Sequence, residues 1–251
     1  MIKNWLCTGD THGQTGRFGF LNTDLYPPET TAIIIAGDGG SNYYLDSRDE
    51  KLKKTLVRLG YKFYFVRGNH EARPEDIPTM ELVYDEEVCG LVYYEPAYPS
   101  IHYFMDGGEY KINGRSALVI GGAYSVDKQY RLLRGWQWFS NEQLNEEERT
   151  AIFNKVKDKS YELVFTHTCP YSWEPRELFL SCIDQSTVDT TTEHWLEEVR
   201  DAIRFDFWIF GHFHGDKIIN HNAAMLYEKI VDLDMVAPID KYTEIPEGFL
   251  I

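Results

Sequence analysis

Five apolar, strand-length runs in this chain each stop at a short cluster of Gly, His, Asp and Asn. Residues 2–7 lead into Thr8-Gly9-Asp10-Thr11-His12-Gly13, and residues 31–36 into Gly37-Asp38-Gly39-Gly40. Residues 61–66 lead into Arg67-Gly68-Asn69-His70-Glu71, residues 161–165 into Thr166-His167-Thr168, and residues 205–210 into Gly211-His212-Phe213-His214-Gly215. Runs of this length between glycines read as buried strands. In open α/β sheets, sites form beyond the carboxyl ends of the strands. The pattern therefore confines the chain to an α/β fold whose strand ends gather polar side chains in one place.

The segments between these strands read as helices or further strands. Ser47-x-x-Glu50 reads as a capping box, followed by Leu52, Leu56 and Leu59 on one helical face and Gly60 as the stop. Pro74 fits the first position of a short helical element. Residues 102–105 and 109–112 around Asp106-Gly107-Gly108 read as a hairpin, and Asn113-Gly114 as a tight turn into residues 116–120. Residues 124–139 read as a long aromatic and basic loop. Ser140-x-x-Gln143 reads as the cap of a helix over 141–157, and Thr190-x-x-Glu193 as the cap of one carrying Leu196, Val199 and Ile203. Short strands near 217–220 and 225–230 close the fold, and the tail to Ile251 is assigned no element. With no repeat or linker, one domain over 1–251 is the simplest organisation.

Composition limits the partners. The chain has 25 basic and 40 acidic residues, a formal charge of −15. That disfavours long duplex nucleic acid, whose phosphates need Lys and Arg on one face. The four cysteines, Cys7, Cys89, Cys169 and Cys182, form no CxxC pair, so neither a disulfide framework nor a structural zinc site is expected. No apolar run approaches the ~18 residues of a membrane span. Residues 1–5 run straight into the first strand, so no signal peptide is expected and a cytoplasmic location follows.

Each polar cluster has an ordinary explanation alone. Asp10-x-His12 and Gly37-Asp38-Gly39 can be turns, Asn69-His70 a helix cap, and His167 a core histidine. Gly211-His212-x-His214-Gly215 has less packing purpose, and five such strand ends together point to a cation. Two divalent cations repel and need a bridging anion, for which the Asp38 carboxylate is the candidate. Asp, His and a carboxamide oxygen suit Mn, Fe or Zn better than Ca.

Taken together, Gly9-Asp10-x-His12-Gly13, Gly37-Asp38-x-Gly40, Gly68-Asn69-His70-Glu71, His167 and Gly211-His212-x-His214 resemble the calcineurin-like metallophosphoesterases. The resemblance spans residues 9–215, with the motifs in the family's order. It implies a layered β-sandwich flanked by helices, with a dinuclear site at one edge. By position it implies that Asp10, His12 and His214 bind one metal ion and that Asn69, His167 and His212 bind a second. Asp38 would bridge them. It further implies in-line attack on phosphorus by a hydroxide between the metals, with His70 as general acid or phosphate stabiliser. Manganese is the first expectation for the cofactor, with Fe, Zn, Ni or Co as alternatives.

Residues 67–71 resemble the Ser/Thr protein phosphatase version of the motif. The segment Gly37-Asp38-Gly39-Gly40-Ser41-Asn42-Tyr43-Tyr44 lacks that group's extra Asp and phosphate-binding Arg. The reading thus turns toward a phosphorylated small molecule or general phosphoester, mono- or diester. Arg131, Arg134 and Arg176, with Lys128, are candidate phosphate anchors, and Trp136, Trp138 and Trp173 are candidates for stacking a ring. Two alternatives remain: a non-catalytic metal-binding scaffold, and a nuclease acting on short single strands.

Overall fold

The computed structural model describes residues 1–235. In chain order the strands are β1 (Asn4–Thr8), β2 (Thr31–Ile35), β3 (Lys62–Phe65), β4 (Glu81–Asp85), β5 (Gly90–Tyr94), β6 (Ile101–Phe104), β7 (Gly108–Ile112), β8 (Arg115–Ile120), β9 (Ser160–Thr166), β10 (Arg204–Phe210), β11 (Lys217–Asn220), β12 (Ala223–Met225) and β13 (Ile230–Asp232). The α-helices are α1 (Ser47–Leu59), α2 (Lys128–Arg134), α3 (Glu146–Val156) and α4 (Thr191–Ala202). The expected polar tail beyond Met235 lies outside the described residues.

The strands form two sheets. One has the order β13-β1-β2-β3-β6-β5-β4, the other β11-β12-β10-β9-β8-β7. The centre of each is parallel: β1, β2 and β3 run side by side in the first, and β8, β9 and β10 in the second. All five residues of β2, Thr31-Ala32-Ile33-Ile34-Ile35, are buried. Strands covered on both faces read this way, without alternation. Between the sheets lies an apolar layer including Trp5, Ile34, Tyr64, Val119, Phe165 and Ile209. A second layer packs α3 and α4 on the outside of the six-stranded sheet through Ile152, Val156, Leu196 and Val199. A third places Leu56 of α1 on the outside of the seven-stranded sheet. This is the helix-flanked sandwich that the motifs imply. Its parallel strands point their carboxyl ends the same way within each sheet.

Two local expectations change. The segments at 102–105 and 109–112 do not form a hairpin, because β6 and β7 belong to different sheets. β6 is paired on both edges, by β3 and β5, and has no edge for β7 to join. Asp106-Gly107 instead carries the chain across: Gly107 N–H donates to Val119 O, and the Asp106 carboxylate accepts from Gly121 N–H at 2.6 Å. The Asn113-Gly114 turn does join β7 to β8, with both residues at positive φ (52° and 73°), the requirement of a two-residue hairpin loop. β4 and β5 form a hairpin at the sheet edge that the sequence reading lacks.

Helix caps shift by a few residues. α1 is capped by the Asp46 carboxylate on Arg48 N–H, one residue before Ser47, and Gly60 ends it at φ 81°. α3 begins at Glu146, later than residue 141, and the capping box is Asn145 with Glu148 in place of Ser140 with Gln143. Thr190 does precede α4 but makes no side-chain cap bond. Glu193 accepts from the Thr168 hydroxyl instead. Pro74 opens a short 3-10 turn as expected. Within the described residues no helix is long and apolar enough to cross a membrane.

Candidate metal centre

The polar clusters converge where the parallel strands of both sheets end. Asp10 follows β1, Asp38 follows β2, and Asn69 and His70 follow β3. From the other sheet come His167 after β9, and His212 and His214 after β10. Hydrogen bonds brace each set, and one joins Asp10 to His212 across the two sheets. Asp10 Oδ1 accepts from His212 N–H at 2.8 Å, and Asp38 Oδ1 accepts from His70 N–H at 2.8 Å. Gly211 N–H donates to His167 O.

The backbone is bent sharply to achieve this. His12, Asp38, His212 and His214 all have positive φ, at 45°, 48°, 71° and 52°. Non-glycine residues in this region cost about 1–3 kcal/mol each and cluster at functional sites. Two glycines leave room for the side chains. A Cβ on Gly37, itself at φ 94°, would meet Nδ1 of His167 at 2.0 Å, and one on Gly68 would meet Oδ1 of Asp38 at 1.9 Å.

The atoms that face one another are mostly acceptors. Nε2 of His12 and Nε2 of His214 lie 2.9 Å apart. Both face Oδ2 of Asp10, at 3.8 and 3.3 Å, and that buried oxygen has no hydrogen-bond partner. On the other side, Nδ1 of His167 donates to the Ala36 carbonyl at 2.9 Å, which in the neutral imidazole leaves Nε2 free to ligate. That Nε2 lies 2.8 Å from Oδ1 of Asn69. The Asn69 amide is fixed in turn, because its Nδ2 donates to Ser125 Oγ at 2.8 Å. With His167 neutral, two lone pairs face each other at 2.8 Å, an arrangement that a cation satisfies. The His212 ring lies edge-on to His167, with centroids 5.0 Å apart. Donor atoms of Asp10, Asp38 and His167 lie within 4.8 Å of one another, as do those of Asp10, His12 and His214. The donor set is nitrogen and oxygen, suited to borderline and hard divalent cations.

Electrostatics agree. Burial pushes His212 down to about 3, with His167 adding to the effect, so its imidazole is neutral and able to ligate. Burial alone would raise Asp38, but His70 and His167 hold its carboxyl well below the usual range. Asp10 is likewise held low against its burial, chiefly by the contact with His214. Burial lowers His12, whereas the Asp10 carboxylate raises His214.

The calcineurin-like phosphoesterase family profile matches residues 4–216. The chain belongs to this family. One solved structure superposes on it with a TM-score of 0.52 at 14% identity, covering 94% of this chain and 97% of the other, which supports the shared fold. A second, TT1561 of Thermus thermophilus, gives a TM-score of 0.49 at 15% identity with the same coverage. Among curated proteins none matches. Metal-dependent phosphoester hydrolysis is the general chemistry of calcineurin-like phosphoesterases.

In this member of the family the surroundings of His70 come from an unexpected element. The segment expected to be a loop, 124–139, contains α2. Asp127, at its N-terminus, makes no cap bond. Its carboxylate lies 3.7 Å from Nε2 of His70 and accepts from Nε of Arg131, one turn later, at 2.8 Å. Nη2 of Arg131 lies 3.1 Å from Nδ1 and 2.9 Å from Nε2 of His70. Arg131 is buried, and its Nη1 donates to the Tyr43 hydroxyl. The Asp and Arg missing after Gly37-Asp38 are therefore present in space beside His70. Burial opposes protonation of His70, yet the carboxylates of Asp38 and Asp127 outweigh it and leave the group above its ordinary value.

A supporting network holds Asn69. Ser125 Oγ accepts from Asn69 and donates to Glu142 at 2.5 Å, and Glu142 also accepts from Ser125 N–H and from Trp138 Nε1. Asp127, Ser125 and Glu142 carry no motif spacing. Their one sequence signal is position after Gly121-Gly122, where β8 ends beside β9. Arg67 is structural, since it donates to Asp106 and to the Glu142 carbonyl.

Other candidates lie elsewhere. Arg134 stacks over Tyr130, and Arg176 over Tyr171 beside Glu174. Neither lines the cleft next to His70. Lys128 stacks on Trp138, and Trp173 packs against Trp208 and Phe210. Cys169 is buried in the layer beneath α4, with its thiol pushed far up by burial.

Proposed function

We propose that this protein hydrolyses a phosphoester with two divalent cations. In this reading Asp10, His12 and His214 hold one, Asn69, His167 and His212 the other, and Asp38 touches both. The observation that carries it is the 2.8 Å approach of His167 Nε2 to Asn69 Oδ1, each already committed on its other side. The cations would activate water near neutral pH and polarise the phosphoryl oxygens.

The protein's own groups supply the rest. Arg131 presents Nη2 of its guanidinium beside His70, so a phosphoryl group there meets a cationic N–H donor. His70, whose protonated form Asp38 and Asp127 favour, gives its proton to the departing oxygen. Asp127 orients both. No covalent intermediate is required of any side chain. Manganese is the first choice of metal, with Fe, Zn, Ni and Co as alternatives.

The test is a panel of phosphomonoesters and phosphodiesters with Mn, Ni, Co, Zn and Mg, run beside elemental analysis. Turnover that depends on added metal, with about two equivalents bound, is the expected result. Full metal loading without turnover of any ester would leave a metal-binding scaffold in its place.

A further inference from the structure

A cleft of about 730 Å³ opens beside His70. Its inner end is formed by His12, Gly13, Gly40, His70 and Arg131. Two separate segments supply the outer walls: Tyr43, Tyr44, Arg48 and Leu52 around the start of α1, and Gly135, Trp136 and Gln137 after α2. Small-molecule pockets span roughly 300–1,000 Å³, so the cleft has space for much more than a phosphate.

The outer walls are flat and already held in place. The Tyr44 ring has the Arg48 guanidinium stacked 3.5 Å from its centroid and the Tyr43 ring against its edge at 4.6 Å. Arg48 is itself fixed by a two-pronged bond to Asp46. Trp136 follows Gly135, which ends α2 at φ 64°, and its N–H donates to Arg131 O. Its ring meets the edge of Tyr130 at 5.5 Å. Even so, Trp136 is 53% exposed and Tyr44 43%. Large aromatic rings held rigidly but left open to solvent, at the mouth of a cleft that ends in an acid and a guanidinium, suit a planar ring on the substrate. Gln137 adds an amide able to donate to and accept from the edge of such a ring.

We propose that the substrate is a nucleotide-class phosphoester, whose heteroaromatic base stacks on Trp136 and the Tyr44–Arg48 pair while its phosphate lies at His70 and Arg131. The net charge of −15 argues for a single nucleotide over a polynucleotide. This rests on the hydrolytic reading above. For a nucleoside monophosphate, the oxygen of water bonds to phosphorus and the ester P–O bond breaks. The nucleoside oxygen takes the proton, and the products are nucleoside and inorganic phosphate.

The experiment compares kcat/KM for adenosine 5′-monophosphate with that for ribose 5-phosphate, which is the same ester without the base. Benzyl phosphate against ethyl phosphate, both esters of simple alcohols, forms a second arm. At least about a tenfold preference for the base-bearing ester is expected, as stacking of one base commonly provides. Trp136→Ala and Tyr44→Ala should each shrink that ratio, while Tyr84→Ala, an exposed aromatic on β4 away from the cleft, should leave it unchanged. Equal kcat/KM for the two ribose esters overturns the proposal. So does a ratio untouched in both cleft variants, or a benzyl-over-ethyl preference without an adenosine-over-ribose one. If no ester is turned over, the hydrolytic reading fails separately, and calorimetry decides the cleft's role. Binding of adenosine 5′-monophosphate at least about tenfold tighter than ribose 5-phosphate supports the stacking site, and equal binding removes it.

Discussion

Asp127 places a carboxylate oxygen 3.7 Å from Nε2 of His70, and the same carboxylate holds Arg131 against that imidazole. A negative charge beside the ring stabilises its protonated form, so His70 loses its proton at higher pH than it would alone. In its proposed role as acid His70 must be protonated, so activity should fall as pH rises through its pKa. Asp127→Asn removes the charge and should move the alkaline limb of the kcat profile to lower pH. An alkaline limb in the same place as in the parent protein would remove Asp127 from this role.

His70→Ala should retain both cations, since the ring is not among the proposed ligands, and reduce turnover by about 10²–10⁴-fold. The loss should be largest on esters with poor leaving groups, where protonation matters most. Full activity on such an ester would show that His70 is not the acid.

The five strand-end clusters are legible because each candidate ligand closely follows its own strand. An apolar run and the Gly-Asp or Gly-His after it are contiguous in sequence, and the parallel centre of each sheet brings those ends together. Asp127, Ser125 and Glu142 were not legible, because they reach His70 and Asn69 only through the packing of the segment after β8 onto the site. α2 is seven residues long, too short for a periodic pattern, and its N-terminal carboxylate is spent on Arg131 and His70 in place of a cap. The β6–β7 crossover was misread for a related reason. Asp106-Gly107-Gly108 has the chemistry of a hairpin turn, and only the pairing of β6 on both edges forbids one.

Asn69 owes its orientation to Ser125, and Ser125 to Glu142. Ser125→Ala leaves the amide rotatable without altering any proposed ligand. Metal affinity should fall roughly 10–100-fold, the usual effect of removing an outer-shell partner, while the metal-free protein keeps its fold. Titration with Mn, read by calorimetry, checks this. Unchanged affinity would show that the chain from Asn69 to Glu142 has no part in holding the cation.

Gly68 and Asp38 approach so closely that a Cβ would lie 1.9 Å from the carboxylate oxygen. Gly68→Ala must displace either β3's final turn or Asp38 itself. Elemental analysis should show cation content falling well below the parent's, with activity lost in parallel. Asp38→Asn should do the same without steric strain, because the amide oxygen can still accept from His70 N–H while the bridging charge is gone. Full cation content in Asp38→Asn would exclude Asp38 as a bridge.

Glu71 is buried behind Asp38, with its carboxyl bonded to Gly40 N–H at 2.7 Å, and burial together with the Asp38 charge raises its pKa from 4.5 to about 7. In the unfolded chain the group ionises near 4.5, so between that pH and about 7 the folded state binds more protons. Stability contributed by the neutral carboxyl is therefore present at low pH and is lost as pH rises across this window, by about 3 kcal/mol. Glu71→Gln cannot ionise, and the difference in unfolding free energy between the two metal-free proteins should grow in the variant's favour from pH 4.5 to about 7 and then level off. Cations at the site would attract the Glu71 charge and shrink the difference, so the same denaturant titration with Mn present should show a smaller slope. A difference that stays flat with pH in the metal-free proteins would mean that Glu71 ionises alike in both states.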